Sequence, residues 1–287
     1  MTSVRPHAAG PRVALATCHF KPTLDDDGPA LLAALAAAGV DASVAVWDDT
    51  HVDWSSYDLV VVRSTWDYIE RREEFLAWAV TVPRLANPAG VLAWNTDKRY
   101  LADLADAGVP VVPTVFVSPG EPFVPPAYEH VVKPSVSAGS MDTVRFAAKE
   151  DSSSHAQALL DAGRTVMVQP YQQEIDDAGE TAVLLFRGEH SHAAGEAAIL
   201  SGTLANPSDV AITPREASAS ELAVARLALA AVPTTEPLLY ARVDLVPGAD
   251  GSPLLMELEI TEPQLFLNRS AGAADRFTAA ILEHARR

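Results

Sequence analysis

The chain has 287 residues, of which 48% are hydrophobic and 21% charged, and its formal net charge is −17. This composition is typical of a soluble globular protein that is large enough to bury a sizeable core. The acidic balance argues against nucleic acid or an anionic membrane as a partner. The lone cysteine, Cys18, excludes an internal disulfide, and no apolar run has the length of a membrane span. We therefore expect a cytoplasmic protein.

Strands and helices alternate over residues 1–94, which predicts an N-terminal α/β domain. Strands are predicted at 13–18, 43–47 and 59–63, and helices at 29–38 and 71–80. Such alternation favours a parallel sheet whose ligands lie beyond the carboxyl ends of the strands. The third strand is followed directly by the polar and aromatic segment Arg63-Ser-Thr-Trp-Asp-Tyr68. This segment is interpreted either as part of a ligand site or as a packing corner with an Arg–Asp pair.

Two lysines stand out in the next part of the chain, because lysine accounts for only four of the 21 basic residues. Lys98 falls in the first turn of a helix predicted over 95–108, where a cation is unfavourable unless an anion shares the site. Lys133 ends a predicted strand and precedes a loop of small residues, 135–140, whose backbone amides can cradle phosphate oxygens. A solvated helix face and a flexible turn are the alternatives for these two features.

The strongest pattern lies in two predicted strands, 240–246 and 254–260, which alternate polar and apolar residues. Arg242 and Asp244 share one face of the first strand with Glu257 and Glu259 of the second, if the aliphatic residues are buried together. Crowded carboxylates destabilise a hairpin unless a charge offsets their repulsion, and a hard divalent cation held by oxygen ligands would do so. A solvated hairpin face is the alternative.

The remaining elements of the C-terminal part are a hairpin, a loop and two helices. Strands are predicted at 180–186 and 190–194, and a long surface loop at 201–216. A capping box at Ser218 is expected to open a helix, and a last helix is expected over about 271–285.

In their order along the chain, these motifs resemble the ATP-grasp family, whose members include glutathione synthetase and D-alanine–D-alanine ligase. The resemblance covers nearly the whole chain. It implies a mixed α/β and α+β fold with three parts: an N-terminal parallel-sheet domain, a small central α+β lid domain and a C-terminal antiparallel-sheet domain. The corresponding segments are 1–94, 95–170 and 171–287.

The resemblance also implies that ATP and Mg²⁺ are cofactors, with Mn²⁺ as a substitute, and it implies roles for individual residues. Phosphate contacts are expected from Lys98, Lys133, Ser135, Ser137, Gly139 and Ser140. Contacts to adenine and ribose are expected from Gln169, Pro170, Tyr171 and Glu174. The magnesium ligands are expected to be Asp244, Glu257 and Glu259. Many relatives carry Asn at the position of Glu259, which adds a negative charge here. Arg242 is expected to act catalytically by stabilising the tetrahedral intermediate.

Two motifs are similar to a subgroup of ATP-grasp ligases that closes O-ureido-D-serine into D-cycloserine: the segment 63–68 and Glu257-Leu-Glu-Ile-Thr-Glu-Pro-Gln-Leu-Phe266. The expected substrate is therefore a small amino acid-like molecule. Arg63 is expected to bind its carboxylate, and Asp67 or Glu262 its amino group. A ligase that joins amino acids or modifies a peptide is the second interpretation, and a non-catalytic ATP-binding module is the third. The oligomeric state stays open, a homodimer included.

Overall fold

The structure is a computed structural model, and it describes residues 10–198, 200 and 211–286. It divides into two compact units. The first consists of the described residues up to Ala89 together with those from Glu262 onward, and the second of Gly90–Thr261. In the described part of the chain, each helix is too short or too polar to cross a membrane.

The first unit is built on a parallel sheet. Its strands are β1 (Arg12–Thr17), β2 (Asp41–Val46), β3 (Leu59–Val62) and β4 (Leu85–Ala86), and its helices are α1 (Gly28–Ala37), α2 (Arg72–Thr81) and the C-terminal α8 (Ala273–Ala285). The strand order is β2-β1-β3-β4, and all pairs are parallel. The central strands β1 and β3 are apolar runs because both of their faces are buried. The predicted parallel α/β arrangement is confirmed; the two-residue strand β4 was not predicted.

The chain from Glu262 onward belongs to this first unit, whereas the sequence placed it in the segment 171–287. Helix α8 lies beside α1, and its Phe277 and Ile281 are completely buried. The Asp27 carboxylate accepts hydrogen bonds from the backbone N–H groups of Leu265 (2.8 Å) and Leu267 (2.6 Å). These long-range contacts have no local signal in the sequence. The division at residue 170 stays a prediction.

The second unit contains two antiparallel sheets. The smaller has the order β5-β8-β6-β7, with β5 (Val115–Val117), β6 (His130–Pro134), β7 (Val144–Phe146) and β8 (Val166–Pro170). The larger has the order β11-β10-β9-β12-β13, with β9 (Glu180–Phe186), β10 (Glu189–Glu196), β11 (Ile212–Arg215), β12 (Tyr240–Pro247) and β13 (Pro253–Glu259). The helices of this part of the chain are α3 (Ala89–Asn95), α4 (Tyr100–Asp106), α5 (Ser153–Asp161), α6 (Ile175–Ala178) and α7 (Ala219–Ala230).

One predicted helix is wrong. Residues 95–108 do not form a single helix, since α3 ends at Asn95 and α4 begins at Tyr100. The Asp97 carboxylate accepts from the Arg99 N–H (3.1 Å), a local bond that competes with helical bonding. The Lys98 N–H leaves the helical pattern and donates to the Ser135 carbonyl oxygen (2.8 Å). Lys98 therefore sits in a connection between two helices.

The loop predicted over 201–216 is wrong at its end, where Ile212–Arg215 forms β11; residues 201–210 lie outside the described residues. β11 is an edge strand with mostly exposed residues and a proline, so it lacks the alternation of buried apolar and exposed polar residues that predicts a strand. The capping box of α7 is confirmed, because Ser218 and Glu221 exchange both expected hydrogen bonds.

Candidate active site

The charged face of the β12–β13 pair is confirmed. Arg242 is paired with Glu259, and Asp244 with Glu257, in the antiparallel register. The opposite faces are buried, with Val243 and Leu258 no more than 1% exposed. The Arg242 guanidinium donates to the Asp244 carboxylate (2.9 Å) and to Glu259 Oε1 (2.8 Å). One arginine thus holds two of the three expected metal ligands.

The structure adds two carboxylates to this face. Glu180 on β9 and Glu196 on β10 are direct cross-strand partners, and Ala182 on β9 is the partner of Asp244. Paired residues of antiparallel strands, and alternate residues of one strand, point to the same side of a sheet. Glu180 and Glu196 therefore lie on the Asp244 face. The sequence predicted the β9–β10 hairpin, but only the pairing of β9 with β12 reveals this proximity.

Lysine side chains approach the same face from outside the larger sheet. The Lys98 ammonium lies 3.0 Å from Glu257 Oε1 and donates to the Ser137 carbonyl oxygen at 2.6 Å. Burial lowers the pKa of Lys133, while the negative charges of Glu257 and Glu180 oppose that shift. The two expected phosphate-binding lysines are thus brought together with an expected metal ligand.

The buried carboxylates of this face differ in the direction in which their pKa values are shifted. Burial, with the negative charges of Asp244 and Glu196, raises the pKa of Glu180 to about 8. Burial also raises the pKa of Asp244 to about 7, although Arg242 opposes the shift. Burial disfavours ionised Glu257 as well, but Lys98 and Lys133 overcome it and hold the pKa of Glu257 below its ordinary value. An added cation on this face would favour ionisation of the first two groups.

The residues fit a magnesium ion that is bound together with phosphate. In the part of the chain that the structure describes, no three Asp, Glu, His or Cys side chains form a group that could hold a metal ion by themselves. Magnesium, however, is commonly bound by one or two carboxylates together with phosphate oxygens and water. Asp244, Glu257 and Glu259 supply only oxygen donors, which suits such a hard cation.

The small-residue loop after β6 combines a buried base with an exposed tip. Ser135 and Ser137 are 2% and 6% exposed, and the Ser137 hydroxyl donates to the Pro134 carbonyl oxygen (3.3 Å). Gly139 and Ser140 have positive φ angles of 59° and 58°, and Gly139 is exposed with free space beside its Cα. The tip can therefore present backbone N–H groups to an anion.

The expected adenine segment follows β8. Gln169 is buried and its side-chain amide donates to the Thr114 hydroxyl (2.9 Å). The Tyr171 N–H already donates to the Glu129 carbonyl oxygen (3.0 Å), so it is engaged within the unit. The Arg145 guanidinium lies 3.5 Å from the centre of the Tyr171 ring. Pro170 ends β8, and the exposed Glu174 precedes α6.

In the first unit, the surroundings of Arg63 differ from those expected of a substrate-binding arginine. Its side chain is 1% exposed and lies 3.7 Å from Asp25 and 3.8 Å from Asp27. A buried guanidinium with two carboxylate partners is typical of a structural network. These contacts offer a structural alternative, in which Arg63 positions Asp25 and Asp27, two residues that the sequence analysis missed. The direct role of Arg63 toward a substrate stays a prediction.

The other two expected substrate residues of the first unit have local partners. The Asp67 carboxylate accepts from the Trp47 indole N–H (2.8 Å) and lies 3.7 Å from the Arg71 guanidinium. The backbone carbonyl oxygen of Glu262 accepts from the Trp66 indole N–H (3.1 Å). These contacts hold both residues in place and leave their roles toward a substrate as predictions.

Comparison with known proteins gives consistent results at the level of sequence and structure. Residues 13–87 match the family model of the N-terminal domain of D-cycloserine synthetase DcsG. The chain is 41% identical over 292 residues to the cycloserine biosynthesis protein DcsG of Streptomyces lavendulae, covering 94% of this chain and 98% of that protein.

The structure is similar to the crystal structure of D-cycloserine synthetase DcsG, with a TM-score of 0.86, 40% identity, and coverage of 96% of this chain and 99% of that chain. It also shares its fold with D-alanine–D-alanine ligase from Bacillus anthracis, solved in complex with ATP. That match has a TM-score of 0.70 and 15% identity, and covers 97% of this chain and 98% of that one. The chain therefore belongs to the D-cycloserine synthetase family of ATP-grasp ligases.

Proposed function

We propose that this protein is an ATP- and magnesium-dependent cyclo-ligase that converts O-ureido-D-serine into D-cycloserine and releases ADP and phosphate. The observation that carries the proposal is the ion pair between Lys98 and Glu257. It puts an expected phosphate-binding lysine against an expected metal-binding strand, in a chain that is 41% identical to a cycloserine biosynthesis protein.

The chemistry consists of activation followed by ring closure. The γ-phosphoryl group of ATP passes to the substrate carboxylate, and the nitrogen bound to the side-chain oxygen attacks the activated carboxyl carbon. The ring closes, phosphate leaves, and the carbamoyl group is lost by hydrolysis as carbon dioxide and ammonia. No nucleophilic side chain is required, because the protein positions the reactants and stabilises charge.

The nucleotide is proposed to bind in the second unit. Lys98 and Lys133 bind its phosphates, the tip of the loop 135–140 covers them, and the residues after β8 contact adenine and ribose. Asp244, Glu257 and Glu259 would hold magnesium, which neutralises phosphate charge when it is bound. The same oxygen donors suit manganese, so we propose that Mn²⁺ substitutes for Mg²⁺.

Arg242 is proposed to stabilise negative charge on the carboxyl oxygen during ring closure. Its position is fixed by bonds to Asp244 and Glu259, so little reorganisation is needed at the moment of reaction. In the first unit, Asp67 and Glu262 are proposed to contact the substrate amino group. Arg63 contributes indirectly by holding Asp25 and Asp27.

The partners and the location of the protein are also proposals. The formal net charge of −17 supports a protein without a nucleic-acid partner. The buried thiol of Cys18 supports a cytoplasmic location. The oligomeric state stays open, a homodimer included, and sedimentation equilibrium with the full chain measures the mass of the assembly directly.

The deciding experiment measures ADP release with O-ureido-D-serine, O-ureido-L-serine, single amino acids and pairs of amino acids. We expect release with O-ureido-D-serine alone, accompanied by the isoxazolidinone ring in mass spectrometry. The Asp244→Asn variant, prepared identically, controls for contaminating ATPases. Turnover of amino acid pairs and silence with O-ureido-D-serine would instead assign a peptide-type ligase, and silence with every substrate an ATP-binding module.

A further inference from the structure

β13 is the last strand of its sheet, so one of its edges faces away from β12. That outer edge is nevertheless hydrogen-bonded. Leu255 donates to the Pro110 carbonyl oxygen (2.7 Å) and accepts from the Val112 N–H (2.9 Å). Further along, the Leu258 N–H donates to the Tyr100 hydroxyl oxygen at 2.9 Å, and Leu258 lies between Glu257 and Glu259. The segment that carries both glutamates thus has partners on both edges.

The side chain of Asn95 completes this edge in place of a neighbouring strand. Its amide N–H donates to the Leu258 carbonyl oxygen (2.6 Å), and its amide oxygen accepts from the Ile260 N–H (3.1 Å). The amide oxygen also accepts from the Thr261 hydroxyl (3.0 Å). Because a backbone carbonyl only accepts and a backbone N–H only donates, these partners determine which amide atom is oxygen.

The two bonded backbone groups flank Glu259 on either side. The outer edge of a sheet presents unpaired N–H and C=O groups unless other residues bond to them, and the direction of each side chain follows the local backbone. Asn95 is 8% exposed, so water does not readily replace its bonds. Tyr100 is 2% exposed and supports the residue between the two glutamates in the same way.

We propose that Asn95 and Tyr100 are positioning residues that hold the carboxylates of Glu257 and Glu259 in the geometry needed for magnesium and ATP. The inference rests on the proposed function, because it assumes that these carboxylates bind the metal–nucleotide complex. Neither residue is among those proposed to contact ATP, magnesium or the substrate. They act through the backbone of β13, and both belong to the short segment 95–100 that also carries Lys98.

That segment couples two parts of the site. Lys98 lies between Asn95 and Tyr100 in the sequence, and its ammonium pairs with Glu257. Asn95 and Tyr100 bond to the backbone of β13, the strand that carries Glu257. Loss of the Asn95 or Tyr100 hydrogen bonds therefore misplaces the carboxylates of Glu257 and Glu259 relative to Lys98. We expect this to weaken the binding of nucleotide with magnesium more than the binding of nucleotide alone.

The test uses calorimetry of the full chain with the non-hydrolysable analogue AMPPNP, with and without Mg²⁺. Asn95→Asp keeps the acceptor and places an oxygen against the Leu258 carbonyl, whereas Tyr100→Phe removes only the hydroxyl. We expect both variants to lose at least about tenfold in affinity for the magnesium complex. Their affinity for AMPPNP without magnesium should change by less than about threefold, as expected for a defect confined to the carboxylates.

Two controls separate the possible failures. Here the magnesium effect is the gain in AMPPNP affinity that Mg²⁺ produces. Ser152→Ala removes a buried hydrogen bond to His130 Nε2 (2.8 Å), far from β13 in sequence. It should leave the magnesium effect unchanged even if it lowers the unfolding temperature. Glu257→Gln should reduce the magnesium effect directly. If Glu257→Gln does so and Tyr100→Phe behaves like Ser152→Ala, the positioning role is wrong. If Glu257→Gln itself leaves the magnesium effect intact, the proposed metal site is wrong.

Discussion

The Lys98 ammonium joins the carboxylate of Glu257, at 3.0 Å, to the small-residue loop, through a 2.6 Å bond to the Ser137 carbonyl oxygen. A single cation therefore connects the charged face of the larger sheet with the loop that is expected to cover phosphate. Because the side chain of Lys98 is 8% exposed and that of Glu257 is 25% exposed, this pair is partly shielded from solvent and from salt screening.

Lys133→Ala should weaken binding of AMPPNP by at least about tenfold, because a charge-assisted contact contributes roughly 1.5–3 kcal/mol. Calorimetry measures the dissociation constant. The matched control is Lys149→Ala, since Lys149 is exposed and should leave binding unchanged. Equal affinities in the wild type and Lys133→Ala would remove Lys133 from the phosphate site.

Replacing Arg63 should destabilise the first unit. Its partners Asp25 and Asp27 are almost fully buried, so Arg63→Ala leaves two carboxylates without their cation, at a cost of about 3–5 kcal/mol. Urea unfolding measures the change. Arg12→Ala removes an exposed pair with Asp41, 49% and 68% exposed, and should cost at most about 1 kcal/mol. A stable Arg63→Ala protein with only a raised KM would restore the direct substrate role.

The sequence allowed prediction of those features that depend on local periodicity. The strands of the first unit and the charged face of β12–β13 follow from runs and alternation, and both are confirmed. The proximity of Glu180 and Glu196 to Asp244 depends on strand pairing across the larger sheet. The helix break before Tyr100 depends on tertiary contacts, because Lys98 bonds to a residue beyond β6. Such long-range pairings leave no trace in local composition.

The stability of the metal-free protein should fall as the pH rises. The folded-state pKa of Glu180 is about 8, above its ordinary value of 4.5, so its stabilising contribution is present below about pH 4.5 and is lost through about pH 8. Asp244, with a pKa of about 7, acts in the same direction. Glu180→Gln cannot ionise and should therefore lose less stability over this range.

The measurement is the free energy of unfolding in urea at about pH 5.5 and about pH 8.5, without divalent cations. The difference between these values should shrink by at least about 1 kcal/mol in Glu180→Gln, since one pKa unit corresponds to about 1.4 kcal/mol. Glu189→Gln alters an exposed carboxylate on the same hairpin and serves as the control. Parallel pH profiles for all three proteins would contradict the buried-carboxylate account.

Arg242 should contribute mainly to the transition state. Its bonds to Asp244 and Glu259 hold the guanidinium in place, and a preorganised donor to a developing oxyanion contributes about 100- to 1000-fold to turnover. Arg242→Ala should thus lower kcat by about that factor and raise the KM for the amino acid-like substrate much less. Burial disfavours the Arg242 cation, yet Asp244 and Glu259 hold its pKa well above the ordinary value, so it stays charged throughout the working pH range.

Steady-state kinetics with O-ureido-D-serine separates the two parameters, and Arg242→Lys tests whether charge alone suffices. Lysine keeps the charge but lacks the planar fork that bonds two carboxylates at once, so we expect only partial recovery of kcat. The unfolding temperature of each variant identifies any loss that reflects instability. A large rise in KM with an unchanged kcat would show that Arg242 binds the substrate in its ground state and does not act on the oxyanion.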